Sequence, residues 1–565
     1  MQTPTLPSEV ILLIAPYLAR TTLLRCMRLN RIWHDSLEPF LWRHPVLRPA
    51  PSSSSSSMDQ DRLMWEYLEL RAARALSPSS QEHEQLLRLQ LQLQHPPSQP
   101  LPSAALILKN ACYVRTLHVE NSTLLTREFV APALGCCLLT SFSVSHAADV
   151  EAVLAILHRT ADTLDTFSYR SQLRVSAFNL QSDPSRLSRR LWEALPACKA
   201  LTRLKITSAG IPVECHEAFF NVCEHLEQLT LLQTIFAQDQ HQHEPVMEEQ
   251  NEEATVIARL CPRQFPHLKT LILLNNSMSA ARQVALIHGA APALTTLTWK
   301  TASRFYTRCM GTCLIEYAVP LTKLDVSLSN LTDSQFVRIL IHLPHLTCLD
   351  AQSTGFGSRS AQFLMDHRAA QLEELNLRGC THVDGRRLQL LLETSPRLRR
   401  FLCGFIDIHL VLASWERGSG WASRDFVELD ISISELTSLE EPMMGMDRLL
   451  CQIGVMTQLE ILGMIVVNNA KIEAFNLEPG GVFSERLGGL KKLRQLMMQG
   501  CQRPMTRATL DHLVRLWPLL EKIGYVFHSG DEEADKEGYL QLDSYLEYKH
   551  PHLARARQRK TCLFE

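Results

Sequence analysis

At 565 residues the chain is longer than the roughly 100–200 residues of an ordinary single domain, so several domains or one extended repeat array are expected. Its formal net charge is −2, from 57 basic and 59 acidic residues, which leaves no general basic field to hold a polyanion and argues against nucleic-acid binding. No run of 18 or more apolar residues suggests a membrane span, no basic stretch leads an apolar signal segment, and the 16 scattered cysteines read as reduced thiols of the cytoplasm or nucleus.

Residues 1–50 read as three short helices. In Leu6-Pro7-Ser8-Glu9-Val10, Pro7 suits the first turn of a helix and Glu9 is favourable at its positive end. Val10, Ile14, Tyr17 and Leu18 follow at helical spacing; Leu23–Ile32, with the Leu23-Leu24 pair, makes a second helix, and Trp33 closes a third. The block finishes Pro39-Phe40-Leu41-Trp42. A bundle of roughly forty residues is marginal alone and is completed by a partner. Residues 51–109 form a linker: Ser52–Ser57 and the Gln-rich run ending His95-Pro96-Pro97 have too little periodic apolar content to fold, and only Asp59–Leu76 has a helical pattern. Such a linker is common in fungal proteins.

From 110 to 528 one pattern recurs, L-x-x-L-x-L with any large apolar residue as L. It starts at Val114, Leu139, Leu164, Leu201, Leu226, Leu268, Leu294, Leu321, Leu346, Leu372, Leu398, Phe426, Leu459, Leu493 and Leu520, mostly about 25–28 residues apart. In the x-L-x-L stretch side chains alternate faces, so the leucines point into a core and the x residues point out. An Asn or Cys three positions on, as at Asn276, Cys380 and Cys501, turns the chain. A helix then covers the leucines, as in Gln335–Leu343, where Phe336, Ile339, Leu340 and Leu343 share a face. No repeat buries its apolar side alone, so neighbours must stack. An all-helical solenoid is the competing architecture, but its period is about 40 residues or more. Longer intervals mark inserted loops near 171–200, 234–266 and 468–490, the second acidic, and 529–565 form a C-terminal tail. The terminal Cys562-Leu563-Phe564-Glu565 resembles a prenylation box only superficially, because Glu is not a usual final residue.

No catalytic constellation emerges: there is no P-loop, Cys-x-x-Cys, His-Glu-x-x-His or Gly-x-Ser-x-Gly. His241, His243 and Glu244 fall in the acidic insertion, and the Cys309/Cys313 pair lacks a convergent ligand set. No cofactor or metal is expected, and the chain reads as a non-enzyme. The outward x residues form the candidate binding face, and they include Arg203, Lys205, Lys323, Asp325, Asp350, Glu374, Asn376, Arg378 and Arg400. Their mixed charge suits a protein partner better than a polyanion.

The N-terminal block resembles the F-box family, whose pattern opens Leu-Pro-x-Glu and closes with x-Arg-x-Trp and Pro-x-Leu-Trp. The match covers about residues 5–47 and departs at Arg20-Thr21-Thr22, where many members carry an acidic residue. With the repeats, the chain is similar to F-box and leucine-rich-repeat proteins of the Cys-containing subclass. The resemblance implies an α/β fold: a three-helix F-box, then a curved solenoid with parallel strands on its concave face and helices on its convex face. It further implies a substrate receptor of a Skp–cullin–F-box ubiquitin ligase. Leu6, Pro7, Val10, Ile14, Leu18, Leu23, Leu24 and Trp33 would then divide between the bundle's core and the contact with a Skp-type adaptor. The cullin scaffold would join through that adaptor, and an unknown protein substrate would occupy the concave face. A helical cap on a repeat scaffold without ubiquitin function is the alternative.

Overall fold

The computed structural model describes residues 46–47, 113–119, 136, 138–145, 150–170, 185–236, 263–301, 311–315, 319–434, 442–466, 477–501, 506–527, 545, 548–550 and 553. These fall into two compact units, Met1–Gln283 and Val284–Glu565 apart from residues 256–258, which join the second. Of the predicted F-box at 1–50 only residues 46–47 are described; the linker 51–109 and residues 237–262 of the acidic insertion near 234–266 lie outside the described residues.

The first unit contains β1 (Val46–Leu47), β2 (Thr116–Val119), β3 (Ser141–Ser145), β4 (Thr166–Arg170), β5 (Arg203–Thr207), β6 (Gly210–Ile211), β7 (Gln228–Leu232), β8 (Ile235–Phe236) and β9 (Thr270–Leu274). All but β6 and β8 lie side by side in chain order, every pair parallel; β6 and β8 form a short parallel pair of their own. The second unit repeats the arrangement with β10 (Thr296–Lys300), β11 (Lys323–Asp325), β12 (Cys348–Asp350), β13 (Glu374–Asn376), β14 (Arg400–Asp407), β15 (Glu428–Ser434), β16 (Ile461–Val466), β17 (Gln495–Cys501) and β18 (Lys522–Phe527). Parallel neighbours need a crossover between them, and here helices supply it. They are α1 (Val150–Thr160), α2 (Ser185–Ala194), α3 (His216–Cys223), α4 (Ala280–Ala290), α5 (Asp333–Ile341), α6 (Ser358–His367), α7 (Gly385–Thr394), α8 (Ile408–Glu416), α9 (Pro442–Gly454), α10 (Val482–Leu487) and α11 (Arg507–Leu516). Helices of successive repeats pack on one another from α5 through α10.

Each predicted motif start lies two residues before an observed strand, and all fifteen starts are buried. The strand leucines face the helices, and each fully buried one contributes about 1.5–3 kcal/mol. The result is an open parallel sheet with helices, an α/β leucine-rich-repeat architecture, in each unit. The turn after a strand has a fixed shape: Ser208, Gln233, Asn275, Leu328, Ser353 and Gly379 take left-handed backbone conformations. The next residue bonds the loop, as where Thr354 Oγ1 donates to the Ala351 carbonyl at 2.7 Å and Cys380 Sγ donates to the same oxygen at 3.0 Å. Helix starts are capped by short polar side chains. Thr332 and Gln335 form a reciprocal capping box on α5, and Asp384 and Asp407 cap α7 and α8.

Two expected loops are partly corrected. Within 171–200, residues 185–194 are helix α2, whose Leu191 and Trp192 are buried; within 468–490, α10 buries Phe483 and Leu487. Both are the covering helices of their repeats. The C-terminal tail also docks in part. Tyr545 Oη and Lys549 Nζ donate to the Asp511 carboxylate at 2.8 Å, the His550 ring lies 3.0 Å from it, and Leu553 is buried. Lys549, with His550 and Tyr545, holds Asp511 far below the usual carboxylate range. Asp511→Asn is expected to loosen this segment, read as several-fold faster tryptic cleavage after Lys549 with the rest of the chain unaffected.

Candidate functional site

Parallel register stacks the outward residues into rows across neighbouring strands, which is why charges 25 or so residues apart in sequence meet. In the second unit one row runs Thr296, Lys323, Cys348, Glu374, Arg400, Glu428, Ile461, Gln495, Lys522, and the next runs Thr298, Asp325, Asp350, Asn376, Leu402, Asp430, Gly463, Met497, Gly524. Of the nine predicted face residues, Lys323, Asp325, Asp350, Glu374, Arg378 and Arg400 are brought together here. Arg203 and Lys205 are exposed on β5 of the first unit, where Arg203 pairs with Asp165 at 2.9 Å.

Several charges of these rows are paired within the chain. Lys300 pairs with Asp325 at 3.0 Å, Lys323 with Glu374 at 3.5 Å, and Arg400 reaches Glu374 at 3.3 Å and Glu428 at 3.6 Å. Arg378 crosses β14 to pair with Asp430. Burial, with Asp325 alongside, pushes the Asp350 carboxyl above the usual carboxylate range. Asn376 departs from the expectation of an exposed binding residue: it is only 8% exposed. Its Nδ2 donates to Asp350 at 3.0 Å and to Gln352 at 3.3 Å, while its Oδ1 accepts from the Arg378 N–H. It is a spacer between rungs. A cleft of about 230 Å³ lies among Glu373, Glu374, Arg399, Arg400 and Val427.

Beyond β14 the face changes character. Leu402, Ile461 and Ile465 are half-buried, while Phe405 and Met497 are 46% and 37% exposed. Phe405 joins this side because the register slips between Leu402 and Phe405, reversing which residues point outward; it then aligns with Ser432 and, through it, Ile465. Leu402, Phe405, Ile461 and Ile465 were not among the predicted face residues. The signal that could have found them is the doubly apolar run Ile461-Leu-Gly-Met-Ile-Val466, which is apolar at its outward positions too.

The eight predicted adaptor residues, Leu6, Pro7, Val10, Ile14, Leu18, Leu23, Leu24 and Trp33, lie outside the described residues. The strand just C-terminal to them is placed: β1 pairs Val46 with His118 and Leu47 with Val119, so the block leads directly onto the first repeat.

No curated protein matches the chain. Among solved structures, an internalin (inlF) from Listeria monocytogenes matches at 11% identity and a TM-score of 0.33, over 70% of this chain and 89% of that one. A plant peptide hormone receptor, RGFR1 in complex with RGF2, matches at 12% identity and a TM-score of 0.25, over 75% and 57% of the two chains. Residues 3–48 match the F-box-like family. The chain therefore joins an F-box-like segment to a leucine-rich-repeat array.

Proposed function

We propose that this protein is the substrate-recognition adaptor of an SCF-type ubiquitin ligase. The observation that carries the reading is the F-box-like match at residues 3–48 in the same chain as an array whose strands expose a broad side-chain face. In this reading Leu6, Pro7, Val10, Ile14, Leu18, Leu23, Leu24 and Trp33 complete the small bundle against a Skp-type adaptor, which brings the cullin scaffold. The strand face, Arg203, Lys205, Lys323, Asp325, Asp350, Glu374, Arg378 and Arg400 among it, holds a protein substrate, and ubiquitin transfer is the work of partners. The cytoplasm or nucleus is the setting; no helix among the described residues is long and apolar enough to cross a membrane.

A repeat scaffold without ubiquitin function is the second reading, favoured by one observation: β1 lays the end of the segment along β2, as a cap would. Capture by a purified Skp-type adaptor separates the two. The intact chain is expected to be retained, and a Leu6→Ala, Pro7→Ala double variant with an unchanged melting temperature is expected to bind at least tenfold more weakly. A folded chain that the adaptor ignores would leave the scaffold.

A further inference from the structure

We propose that the cleft at the start of β13–β15 is a peptide subsite for two oppositely charged side chains, an acidic one on Arg399 and a basic one on Glu373. This inference rests on the reading that the strand face holds a protein substrate, and it names the chemistry of that substrate's contact.

The buried residues Leu375, Phe401 and Leu429 of these strands are each preceded by two outward ones, Glu373-Glu374, Arg399-Arg400 and Val427-Glu428. The second members of these pairs are tied together: Glu374 meets Lys323 at 3.5 Å and Arg400 at 3.3 Å, and Arg400 meets Glu428 at 3.6 Å. The first members are not. Glu374, Arg400 and Glu428 align in register, which sets Glu373, Arg399 and Val427 side by side. Their only hydrogen bonds are those of the backbone, and among the described residues neither the Glu373 carboxylate nor the Arg399 guanidinium has an ion pair. Farther along the same row the charges do close on one another, where Arg494 pairs with Glu460 at 3.7 Å and with Glu521 at 2.6 Å. On the β15 side of Arg399 the place of such a carboxylate is taken by Val427. The cleft of about 230 Å³ lies at this break in the row, lined by Glu373, Glu374, Arg399, Arg400 and Val427.

Charge decides what the cleft takes. Lys323, Arg399 and Arg400 stand against Glu373, Glu374 and Glu428, so the spot carries no net charge. A phosphate dianion on Arg399 would sit beside the Glu373 and Glu374 carboxylates, and an anionic membrane meets no cationic excess. A carboxylate and a cation brought in together satisfy both open charges and leave the existing pairs intact. Neighbouring strands lie about 4.8 Å apart. Side chains two apart in an extended peptide, at about 6.5 Å, or four apart on a helix, at about 5–6 Å, reach both. Val427 offers their aliphatic stems an apolar wall. Contacts of this kind set the identity and register of a partner more than its raw affinity.

The test pans the full chain against a phage-displayed library of random peptides. The selected peptides are expected to share an acidic and a basic residue within about four positions of each other. A synthetic copy should bind at least about threefold more weakly at about 0.5 M than at about 0.1 M salt. Arg399→Glu, at an exposed side chain, should weaken it at least about tenfold with melting unchanged. A Glu373→Arg, Arg399→Glu double variant should instead prefer a peptide whose acid and base are exchanged, a switch that a merely structural role for these residues would not produce. Uncharged consensus peptides, binding indifferent to Arg399→Glu, or no preference for the exchanged peptide would overturn the inference. So would at least tenfold tighter binding when phosphoserine replaces the acid, or capture by phosphatidylserine vesicles that Arg399→Glu abolishes. Recovery of no peptide by a chain that a Skp-type adaptor still captures would overturn it too, leaving the ligase reading intact. Loss of adaptor capture with peptide binding preserved would remove the ligase reading alone.

Discussion

Gly454→Ala is expected to lower the unfolding free energy by about 3 kcal/mol in urea titration, although it adds only one methyl group. Gly454 ends α9, and a Cβ on it would lie 2.2 Å from the Arg486 carbonyl oxygen on α10. That atom is backbone, so no side chain can rotate away. The two helices approach closely again where a Cβ on Gly489 would meet the Gly454 carbonyl oxygen at 3.3 Å. The approach is held by Ile453 and Leu487 in the core and by Arg486 Nε on Asp447 at 2.7 Å. Alanine therefore has to pry one repeat from the next, and an array's stability is largely a sum of such nearest-neighbour contacts. Hydrogen exchange should show the loss concentrated in β16–β18. Gly404→Ala, where a Cβ meets nothing within 4 Å, serves as control and should change stability by less than about 0.5 kcal/mol.

Asp333→Ala should cost about 3 kcal/mol by the same measurement, because one carboxylate serves two repeats. Asp333 opens α5, yet its oxygens accept from the backbone N–H groups of Gly357, Arg359 and Ser360 at 3.0 Å and from Ser360 Oγ at 2.5 Å, all at the start of α6. It caps the next repeat's helix from outside, and Gly357 has no Cβ because one would lie 2.8 Å from the Asp333 carboxyl. Burial alone would raise its pKa; the bonds from Ser360, Arg359 and Gly357 outweigh burial and hold the carboxyl below its usual range. A lowered folded-state pKa gives stability that is full above the unfolded value near 4 and is lost as pH falls through the folded value. The stability gap between wild type and Asp333→Asn should accordingly be largest near neutrality and narrow below about pH 4.

The array was legible because its rule is local: an x-L-x-L strand needs only alternation, and every predicted start from Val114 to Leu520 leads a strand. Helix α2 was missed because Ser185-Arg-Leu-Ser-Arg-Arg-Leu-Trp-Glu-Ala194 carries three arginines around a narrow apolar edge of Leu191 and Trp192. The charged rows were readable as outward positions, but not their pairing: Arg378 and Asp430 are 52 residues apart and meet only through the register of three strands. The apolar field was hidden twice. Ile461 and Ile465 look like core in a run with no polar alternate, and Phe405 turns outward only through a register slip that no composition announces.

The pairing of Val46 and Leu47 with β2 bears on how the halves of this chain can be handled separately. A parallel sheet has an open edge wherever its last strand lacks a neighbour, and such an edge recruits other chains. Here the residues leaving the F-box-like segment cover that edge at His118 and Val119. Repeats prepared without residues 1–48 are expected to expose the backbone donors and acceptors of β2 and to associate edge to edge, which light scattering would register as oligomers absent from the full chain.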